Sequence, residues 1–535
     1  MVTARLVVAG THSGVGKTTV ATGLLGAFAA RGRAVTGFKV GPDFIDPSYH
    51  ALATGRPGRN LDAFLSGPDL VAPLFVHGAA GADLAIVEGV MGLFDGTRGG
   101  GELASTAQVA KLLRAPVLLV VDCSGMARSV AALVHGFANF DPELRLAGVA
   151  LNRVASERHE ELLRGALESL GVPVLGVLRR RRDLATPERH LGLVPVAERR
   201  AEARRTVAEL AAAVAGGCDL DAVAAVAASA PVLRADPWDP CAAASDRPGP
   251  LASAGPPGRS GLPGRSGPPG SPSRSGRFGP PGLPGRPRRS VRVAVASGPA
   301  FSFVYQENLE LLEANGAELV EFDPTADERL PTGSAALYLG GGFPETYAEP
   351  LAANKPLRAA VRRFALSGRP MVAECGGLLY LARRLDGQPM CGVLEAEGRM
   401  TGRLTLGYRQ ASAATPSPLA EPGRTIRGHE FHYSALEPAA GSEPAWLLGD
   451  PAHGRSPGQA GPAHRAGPAG QAEPPHWAGP AEQARPAERA APLSGSGGRP
   501  EGFVAGGVHA SFLHTHWAAF PDVPSRLLAA AEVPA

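Results

Sequence analysis

The chain has 535 residues, 44% of them hydrophobic, so it is long enough for two or more globular domains. Its formal charge is +3, but residues 246–290 hold eight Arg and one Asp, which leaves about −4 on the remainder and makes nucleic acid an unexpected partner. No apolar run reaches the roughly 18 residues of a membrane helix, and five scattered cysteines without a CxxC pair indicate neither disulfides nor zinc, so we expect a cytoplasmic protein with no membrane partner.

The first predicted element is a buried strand at residues 6–9. Because Met1 leads straight into this strand, we expect no signal peptide. A glycine-rich turn and a helix beginning near Lys17 follow it in the sequence LVVAGTHSGVGKTTV. Glycines let backbone N–H groups approach a polyphosphate, so this stretch predicts a nucleotide site in which Lys17 reaches the terminal phosphates. Five residues separate Gly10 from Gly16, one more than the standard spacing, and this suits the P-loop branch that includes dethiobiotin synthetase. The residues predicted to bind ATP here are Gly10, Gly14, Val15, Gly16, Lys17, Thr18 and Thr19.

Alternating strand-like and helix-like segments continue to about residue 230, with strands predicted at residues 35–40, 84–88, 117–122, 147–152 and 174–177. This alternation indicates a parallel sheet covered on both faces. Acidic residues follow two of the strands, in KVGPDFIDPSY and VEGVMGLFDG, at the sheet edge where ligands bind.

Carboxylates at that edge suit Mg²⁺, which prefers oxygen ligands. The predicted Mg²⁺ ligands are Thr18, Asp46 and Glu88. The residues predicted to act in catalysis there are Lys39, Asp43, Asp46 and Asp95. The alternative is that the two acids of the GPDFIDP loop only form turns beside their prolines. Asn152 ends a later strand and is predicted to contact adenine, with a turn-capping role as its alternative.

Two segments have a composition that predicts disorder. Residues 236–290 are rich in Pro, Gly, Arg and Ser and cannot bury enough apolar area to offset the entropy of ordering. Residues 258–287 form near-regular Gly-x-y triplets, for which a flexible linker is favoured over a collagen helix. Residues 451–500 carry AGP repeats and are predicted to be a surface insertion.

A second α/β unit begins at residue 291, with strands predicted at 291–296, 336–339, 370–373 and 502–507. In VAECGGLLY a strand runs into Cys375 and a helix follows, which is the geometry of a nucleophile elbow. The helix N-terminus favours a thiolate, and the N–H groups of Gly376 and of Gly341 in the GGGFPE loop are the predicted oxyanion donors. A histidine partner is expected near the C-terminus. The candidates are His509, His514 and His516.

A third group of residues lies in RLTLGYR and RGHEFHY, which combine Arg, His and aromatic side chains. They are suited to an anionic, aromatic-sized substrate. An interdomain interface or ordinary strand pairing is an equal alternative.

Ten motifs of the chain together resemble those of the cobyrinic and hydrogenobyrinic acid a,c-diamide synthases of cobalamin biosynthesis. These motifs are THSGVGKTT, FKVGPDFIDPSYH, EGVMGLFDG, PERHLGLVP, AFSFVYQENLELL, GGGFPE, ECGGLLYL, RLTLGYR, GHEFHYS and FLHTHW. The resemblance covers about residues 1–230, 291–450 and 501–520. It implies an α/β architecture with an N-terminal, dethiobiotin-synthetase-like P-loop domain at 1–235, the linker at 236–290, and a class I glutamine amidotransferase-like domain at 291–535. It also implies that Cys375 is the glutaminase nucleophile and His514 its base. Other class I glutaminases have a Glu two residues after that His, where this chain has His516, so the third triad member is unidentified.

The chemistry implied is glutamine hydrolysis at Cys375 and MgATP-dependent phosphorylation of the a and c acetates of a corrin ring, followed by attack of ammonia on each acyl phosphate. Corrin, glutamine and ATP are the implied partners, and a homodimer is left open. The rival interpretation is a partition or septum-positioning switch ATPase with a non-catalytic C-terminal domain. Such switches carry a second Lys early in the P-loop, where this chain has Thr11 and His12.

Overall fold

The structure is a computed structural model that describes residues 4–97, 99–180, 196–245, 290–449 and 498–532, with short strands at 188–189 and 192–193. It contains an N-terminal and a C-terminal α/β unit, as the sequence predicts. Among the described residues, no helix is both long and apolar enough to cross a bilayer.

The N-terminal unit is built on a seven-stranded parallel sheet with strand order β3-β2-β4-β1-β5-β6-β7. Its strands are β1 (Ala4–Gly10), β2 (Val35–Val40), β3 (Arg59–Leu61), β4 (Leu84–Glu88), β5 (Val117–Asp122), β6 (Leu146–Val154) and β7 (Val174–Arg179). The short strands β8 (Glu188–Arg189) and β9 (Gly192–Leu193) pair with each other. Strands predicted at residues 35–40, 84–88 and 117–122 are confirmed to the residue.

Helices cover both faces of this sheet. They are α1 (Lys17–Ala30), α2 (Ile45–Thr54), α3 (Pro68–Gly78), α4 (Thr106–Leu112), α5 (Ser129–Asn139), α6 (Glu157–Glu168), α7 (Arg200–Gly217), α8 (Leu220–Ala228) and α9 (Pro240–Ser245). The two-residue period of β1 explains the layering, since Leu6 and Val8 pack in one buried cluster and Val7 and Ala9 in another. A strand buried on both faces therefore delivers the glycine turn to the carboxyl edge of the sheet.

The C-terminal unit contains two sheets. Its strands are β10 (Val291–Ala296), β11 (Ala317–Phe322), β12 (Ala336–Leu339), β13 (Met371–Glu374), β14 (Arg384–Leu385), β15 (Gln388–Pro389), β16 (Glu397–Ala413), β17 (Thr425–Glu437), β18 (Trp446–Gly449), β19 (Arg499–Glu501), β20 (Phe503–Ala505), β21 (Val508–Ser511) and β22 (His514–Thr515). The first sheet has the order β11-β10-β12-β13-β21-β20, and the second runs β15-β14-β16-β17-β22, with β18 paired to β16 and β19 paired to β18. Its helices are α10 (Gln306–Ala314), α11 (Ala348–Ala353), α12 (Lys355–Leu366), α13 (Gly376–Leu381) and α14 (Asp522–Glu532).

The two units pack directly against each other. A buried aromatic cluster contains Phe44, Tyr49 and Phe64 from the first unit and Phe303 and Tyr305 from the second. The rings of Phe44 and Phe303 stack with centroids 5.1 Å apart. Burying such rings removes a large apolar area from water, so the interface is a stable part of the fold.

Three predicted boundaries need correction. Residues 236–245 were assigned to the linker, yet Trp238 is buried, and its ring meets that of His77 edge to face with centroids 5.1 Å apart. Burial of the large apolar indole is favourable enough to hold this segment on the N-terminal unit despite its flanking prolines. The predicted insertion, 451–500, overlaps β19, which begins at Arg499 and whose Glu501 is buried. The strand predicted at 502–507 is a hairpin that turns at Gly506. The Gly-x-y stretch 258–287 and residues 450–497 lie outside the described part of the chain.

Candidate active sites

The P-loop has the backbone conformation that its glycines allow. Gly14 has φ +79° and Gly16 φ +99°, a region that side chains with a Cβ rarely adopt, and Gly16 caps α1. A Cβ on Gly10 would lie 2.5 Å from Val15, and one on Gly16 would lie 2.2 Å from the amide nitrogen of Asn152. The tight turn at the end of β1 thus requires glycine at these positions.

Lys17 lies inside this loop. Its ammonium donates hydrogen bonds to the carbonyl oxygens of His12, at 3.1 Å, and Met91. Burial lowers the pKa of Lys17 to about 8, and the charge of Lys39 adds to this effect although nearby carboxylates oppose it. A bound polyphosphate would supply negative charge that raises this pKa again and stabilises the ammonium form.

Glu88 is the centre of a buried polar network at the end of β4. It accepts hydrogen bonds from Thr18 at 2.6 Å and Lys39 at 2.9 Å, and its other oxygen lies 2.7 Å from Nε2 of His50. Burial opposes ionisation, but Lys39, His50 and Thr18 together hold the pKa of Glu88 far below its usual range. Lys39 also contacts Asp46 at 2.6 Å, and these two carboxylates raise the pKa of Lys39 against the effect of burial. Lys39 and Glu88 are therefore a charged pair, whereas burial and the charges of Asp43 and Glu88 raise the pKa of Asp46 although Lys39 opposes this shift.

The predicted Mg²⁺ ligands meet at one place. The hydroxyl oxygen of Thr18 lies 2.6 Å from Glu88 Oε1 and 3.5 Å from Asp46 Oδ2, so three hard oxygen atoms converge. Within the described residues, no group of three or more His, Cys, Asp or Glu side chains forms an all-protein metal cage. Two carboxylates and a hydroxyl fit Mg²⁺, which retains waters and shares its coordination with substrate phosphates.

Two other predicted acids are held in local turns. Asp43 accepts hydrogen bonds from the backbone N–H groups of Ile45 at 2.7 Å and Asp46 at 3.0 Å, so it caps the start of α2. Asp95 accepts from the N–H of Gly92 at 2.8 Å. The turn-forming alternative thus describes Asp43, whereas Asp46 faces Lys39.

Asn152 lies against the P-loop. Its amide donates to the carbonyl of Val15 at 2.8 Å and contacts Gly16. The side chain therefore supports the phosphate loop, and its contact with adenine stays a prediction.

Cys375 forms the predicted elbow. It follows β13 with φ +47° and ψ −96°, an uncommon conformation for a residue with a side chain, and its N–H is held by the carbonyl of Ser511 at 2.7 Å. Burial raises the pKa of this thiol far above its usual range, Glu345 adds to the shift, and the N–H of Gly376 opposes it. The thiolate expected from the helix N-terminus is disfavoured, because α13 has only six residues and Cys375 is buried. If Cys375 is the nucleophile, as predicted, it therefore needs a base.

The two predicted oxyanion donors stay predictions, and the structure shows that one of them already has a partner. The N–H of Gly341 donates to the carbonyl of Phe303 at 3.0 Å, so it is occupied by the bridge between these two residues. The amide nitrogen of Gly342 lies only 2.9 Å from where a Cβ on Gly376 would stand. Gly342 is thus better placed than Gly341 to join Gly376 as a donor.

The three candidate histidines occupy different environments. His509 contacts Ser417 at 3.0 Å and packs against Trp446 in the core. His516 points to Glu307, 3.4 Å away. His514 lies beside the elbow, since a Cβ on Gly341 would stand 2.3 Å from its Cε1.

His514 also stacks on His429, with ring centroids 5.0 Å apart. Burial lowers the pKa of His514 to about 3, and the charge of His432 contributes, so the imidazole is neutral at rest and needs a nearby negative charge to hold a proton. Of the three candidates, His514 is the one with contacts next to the elbow, at Gly341 and at Glu374, and its role as the base stays a prediction.

The third residue group divides between the two alternatives. Tyr408 donates to Asp62 of the N-terminal unit at 2.7 Å, and the guanidinium of Arg427 lies over Phe64. Arg409 instead pairs with Glu430 at 2.6 Å across β16 and β17. The structure therefore gives this group an interface role and a strand-pairing role.

The sequence interpretation missed His50 and Phe44. His50 lies four residues after Asp46, and this spacing on α2 places both on one helix face toward Glu88, which is a signal that could have been used. Phe44 is an apolar residue between two acids and carries no local signal of its contact with the second unit.

Comparison with known proteins supports both units. Residues 6–194 match the CobQ/CobB/MinD/ParA nucleotide binding domain, and residues 292–465 match the CobB/CobQ-like glutamine amidotransferase domain. The chain is 54% identical to hydrogenobyrinate a,c-diamide synthase of Streptomyces coelicolor over 98% of this chain and 96% of that protein. It is 47% identical to the Thermobifida fusca protein of the same name, with the same coverage, and 43% identical to cobyrinate a,c-diamide synthase of a Synechococcus strain over 81% of this chain and 88% of that one. The chain therefore belongs to the a,c-diamide synthase family of glutamine amidotransferase ligases.

Proposed function

We propose that the chain transfers the amide nitrogen of glutamine to the a and c acetate carboxylates of hydrogenobyrinate, with ATP as the activating substrate. The observation that carries this proposal is the presence of two complementary sites in one packed chain. An elbow cysteine with a neutral histidine suits glutamine hydrolysis, and a P-loop with two lysines and several acids suits phosphoryl transfer.

The glutaminase step begins with the buried thiol of Cys375. His514 takes the thiol proton as the sulfur attacks the side-chain carbonyl carbon of glutamine, and the N–H of Gly376 donates to the oxyanion that forms. The proton then passes to the departing nitrogen, which leaves as ammonia. Water hydrolyses the remaining thioester to glutamate and regenerates the thiol.

The ligase step activates an acetate of the substrate. A carboxylate oxygen attacks the γ-phosphorus of ATP, ADP leaves, and ammonia then attacks the acyl carbon and expels inorganic phosphate. Direct attack on the carboxylate would have to expel oxide, so phosphorylation supplies the leaving group. In this step Lys17 and Lys39 would neutralise charge on the transferred phosphoryl group. Mg²⁺ held by Thr18, Asp46 and Glu88 would supply further charge neutralisation when bound.

The relatives support the cobalt-free substrate. The two relatives described above at 54% and 47% identity are named for hydrogenobyrinate, and the relative at 43% identity is named for cobyrinate. The rival switch ATPase has no use for a strained elbow cysteine beside a histidine.

The proposal is tested by supplying hydrogenobyrinic and cobyrinic acids in parallel, with ATP, Mg²⁺ and glutamine, and analysing the products by mass spectrometry. We expect a diamide to form from hydrogenobyrinic acid, with a mass about two units lower because each OH becomes NH₂. Conversion of cobyrinic acid alone would overturn the substrate assignment. ATP hydrolysis without amide formation from either acid would overturn the proposed function.

A further inference from the structure

We propose that Glu374 is the carboxylate that orients His514, and so fills the third position of the glutaminase triad as a positioning residue. The inference rests on the proposed function, because it assumes that Cys375 and His514 hydrolyse glutamine. It identifies a residue that the sequence leaves open, since the usual Glu position is occupied by His516.

The side chain at the usual position is committed elsewhere. Nε2 of His516 lies 3.4 Å from Oε2 of Glu307, and the other oxygen of Glu307 accepts a hydrogen bond from Arg59 of the N-terminal unit at 2.8 Å. His516 therefore belongs to the contact between the two units and does not orient His514.

His514 has one ring nitrogen that needs a partner. Among the described residues, its buried Nδ1 has no hydrogen-bond partner, and Oε2 of Glu374 lies 3.9 Å away. Both side chains are almost fully buried. A buried N–H without a partner is costly, so a carboxylate at this separation is where an imidazolium formed during catalysis would find its counter-charge.

The carboxylate of Glu374 is itself held in place. Oε1 accepts hydrogen bonds from the backbone N–H of Thr515 at 3.2 Å and its hydroxyl at 2.7 Å, and Oε2 accepts from the hydroxyl of Tyr338 at 3.2 Å. Thr515 directly follows His514, and Glu374 directly precedes Cys375. The same carboxylate thus connects the segment that carries the base to the segment that carries the nucleophile.

The sharp turn at Cys375 explains how adjacent residues serve one site. In a regular strand Glu374 and Cys375 would point to opposite faces. The positive φ of Cys375 breaks that alternation at the end of β13. Glu374 can therefore approach Nδ1 of His514 without its neighbour Cys375 being turned to the opposite face of the sheet.

The ionisation of Glu374 makes the proposal measurable. Burial raises the pKa of Glu374 to about 7, although the hydrogen bonds from Thr515 and Tyr338 oppose this shift. The titratable groups that face the Glu374–His514 pair are Tyr338 of β12, His429 and His432 of β17, Tyr305, and Cys375 itself. Protonated Glu374 cannot balance an imidazolium, so glutamine hydrolysis should fall as the pH drops through about 7.

The test compares Glu374→Gln with a matched control, Glu501→Gln. Glu501 is also buried, is held by the Ser511 hydroxyl at 2.6 Å and the Phe512 N–H at 2.8 Å, and has a pKa raised by burial to about 7. Its oxygens bond Ser511 and Phe512, with no histidine among these partners. Both variants keep the shape of the side chain and remove one buried carboxylate.

We expect Glu374→Gln to lower kcat for glutamine hydrolysis by about 10²- to 10⁴-fold, as loss of an orienting carboxylate does in other triads, with little change in KM. The acidic limb of the pH profile near pH 7 should disappear. Ammonium-dependent amidation should stay within about twofold of the unmodified chain, which shows that the variant is folded. Glu501→Gln should keep the acidic limb and lose far less glutaminase activity.

Equal losses in the two variants, or a Glu374→Gln variant with an unchanged pH profile, would overturn the proposal. Glu374→Asp keeps the negative charge but shortens the side chain by one methylene, which draws the carboxylate back from His514. It provides a second variant if Glu374→Gln does not fold. An Asp variant that hydrolyses glutamine at the full rate would also overturn the assignment. Failure of the proposed function is recognised separately, because the unmodified chain would then form no amide with either nitrogen donor.

Discussion

The ring of Phe44 lies 5.1 Å from the imidazole of His514, so a residue of the P-loop unit packs directly on the base proposed for the glutaminase. Phe44 stands between Asp43, which caps α2, and the segment that carries Asp46 to Lys39. One short loop therefore touches both sites. A shift of this loop when nucleotide binds would change the packing around the imidazole of His514.

We expect Phe44→Leu to uncouple the two reactions, because it keeps most of the apolar volume but loses the ring contacts with Phe303 and His514. The measurement is the ratio of amide formed to glutamate released, which should fall at least about threefold while glutamine hydrolysis continues. Phe75→Leu is the matched control, since Phe75 is also buried but packs on Phe38 within the N-terminal unit. A Phe44→Leu ratio equal to that of the control would refute the coupling.

Much of the fold and of both candidate sites could be predicted from the sequence, because these features depend on local patterns. Apolar runs ending in Gly or acidic residues gave the strands of the parallel sheet, and the ECGG turn gave the elbow. The unpredicted features depend on contacts between distant segments. Nothing near Gly341 shows that its N–H is used by Phe303, and nothing near Trp238 shows that His77 and its neighbours bury it.

A second prediction concerns the ion pairs across the interface. Burial opposes ionisation of Glu307, but His516 and Arg59 hold its pKa at about 2. A carboxyl whose pKa is lower in the folded chain than its unfolded value of about 4.3 stabilises the fold above that value, and loses the contribution as the pH falls toward 2.

The change is Glu307→Gln, which leaves Arg59 paired with Glu310 alone. The variant should be less stable by about 3 kcal/mol near neutral pH, as is typical when one partner of a buried pair is removed. Urea denaturation should show this difference shrinking between about pH 4.5 and pH 2. A difference that does not change over that interval would contradict the assigned ion pair.

A third prediction tests the acid network of the P-loop unit. Glu88→Gln should lower amidation by at least about 10²-fold with glutamine and with ammonium alike, because charge neutralisation at the phosphates precedes attack by either nitrogen source. Glutamine hydrolysis should continue, since Cys375 and His514 lie in the other unit. Asp141→Asn removes a carboxylate that pairs with Lys111 outside the site and should leave both activities nearly unchanged. Near-normal ATP-dependent amidation by the Glu88→Gln variant would show that Glu88 is not a Mg²⁺ ligand.

The last prediction separates the two active sites. Cys375→Ser should abolish glutamine-dependent amidation, because a serine hydroxyl is a far weaker nucleophile in a site built around sulfur. Ammonium salts at a pH that supplies free ammonia should restore product formation, since the ligase step does not use the thiol.

His514→Ala should show the same pattern, and its loss of glutamine-dependent activity should be severe, because the buried thiol of Cys375 has a raised pKa and needs a base to ionise. His516→Ala should lose stability at the interface more than glutaminase activity. A folded Cys375→Ser variant that is inactive with both donors would end the two-site division, and a greater glutaminase loss in His516→Ala than in His514→Ala would show that the base has been assigned to the wrong histidine.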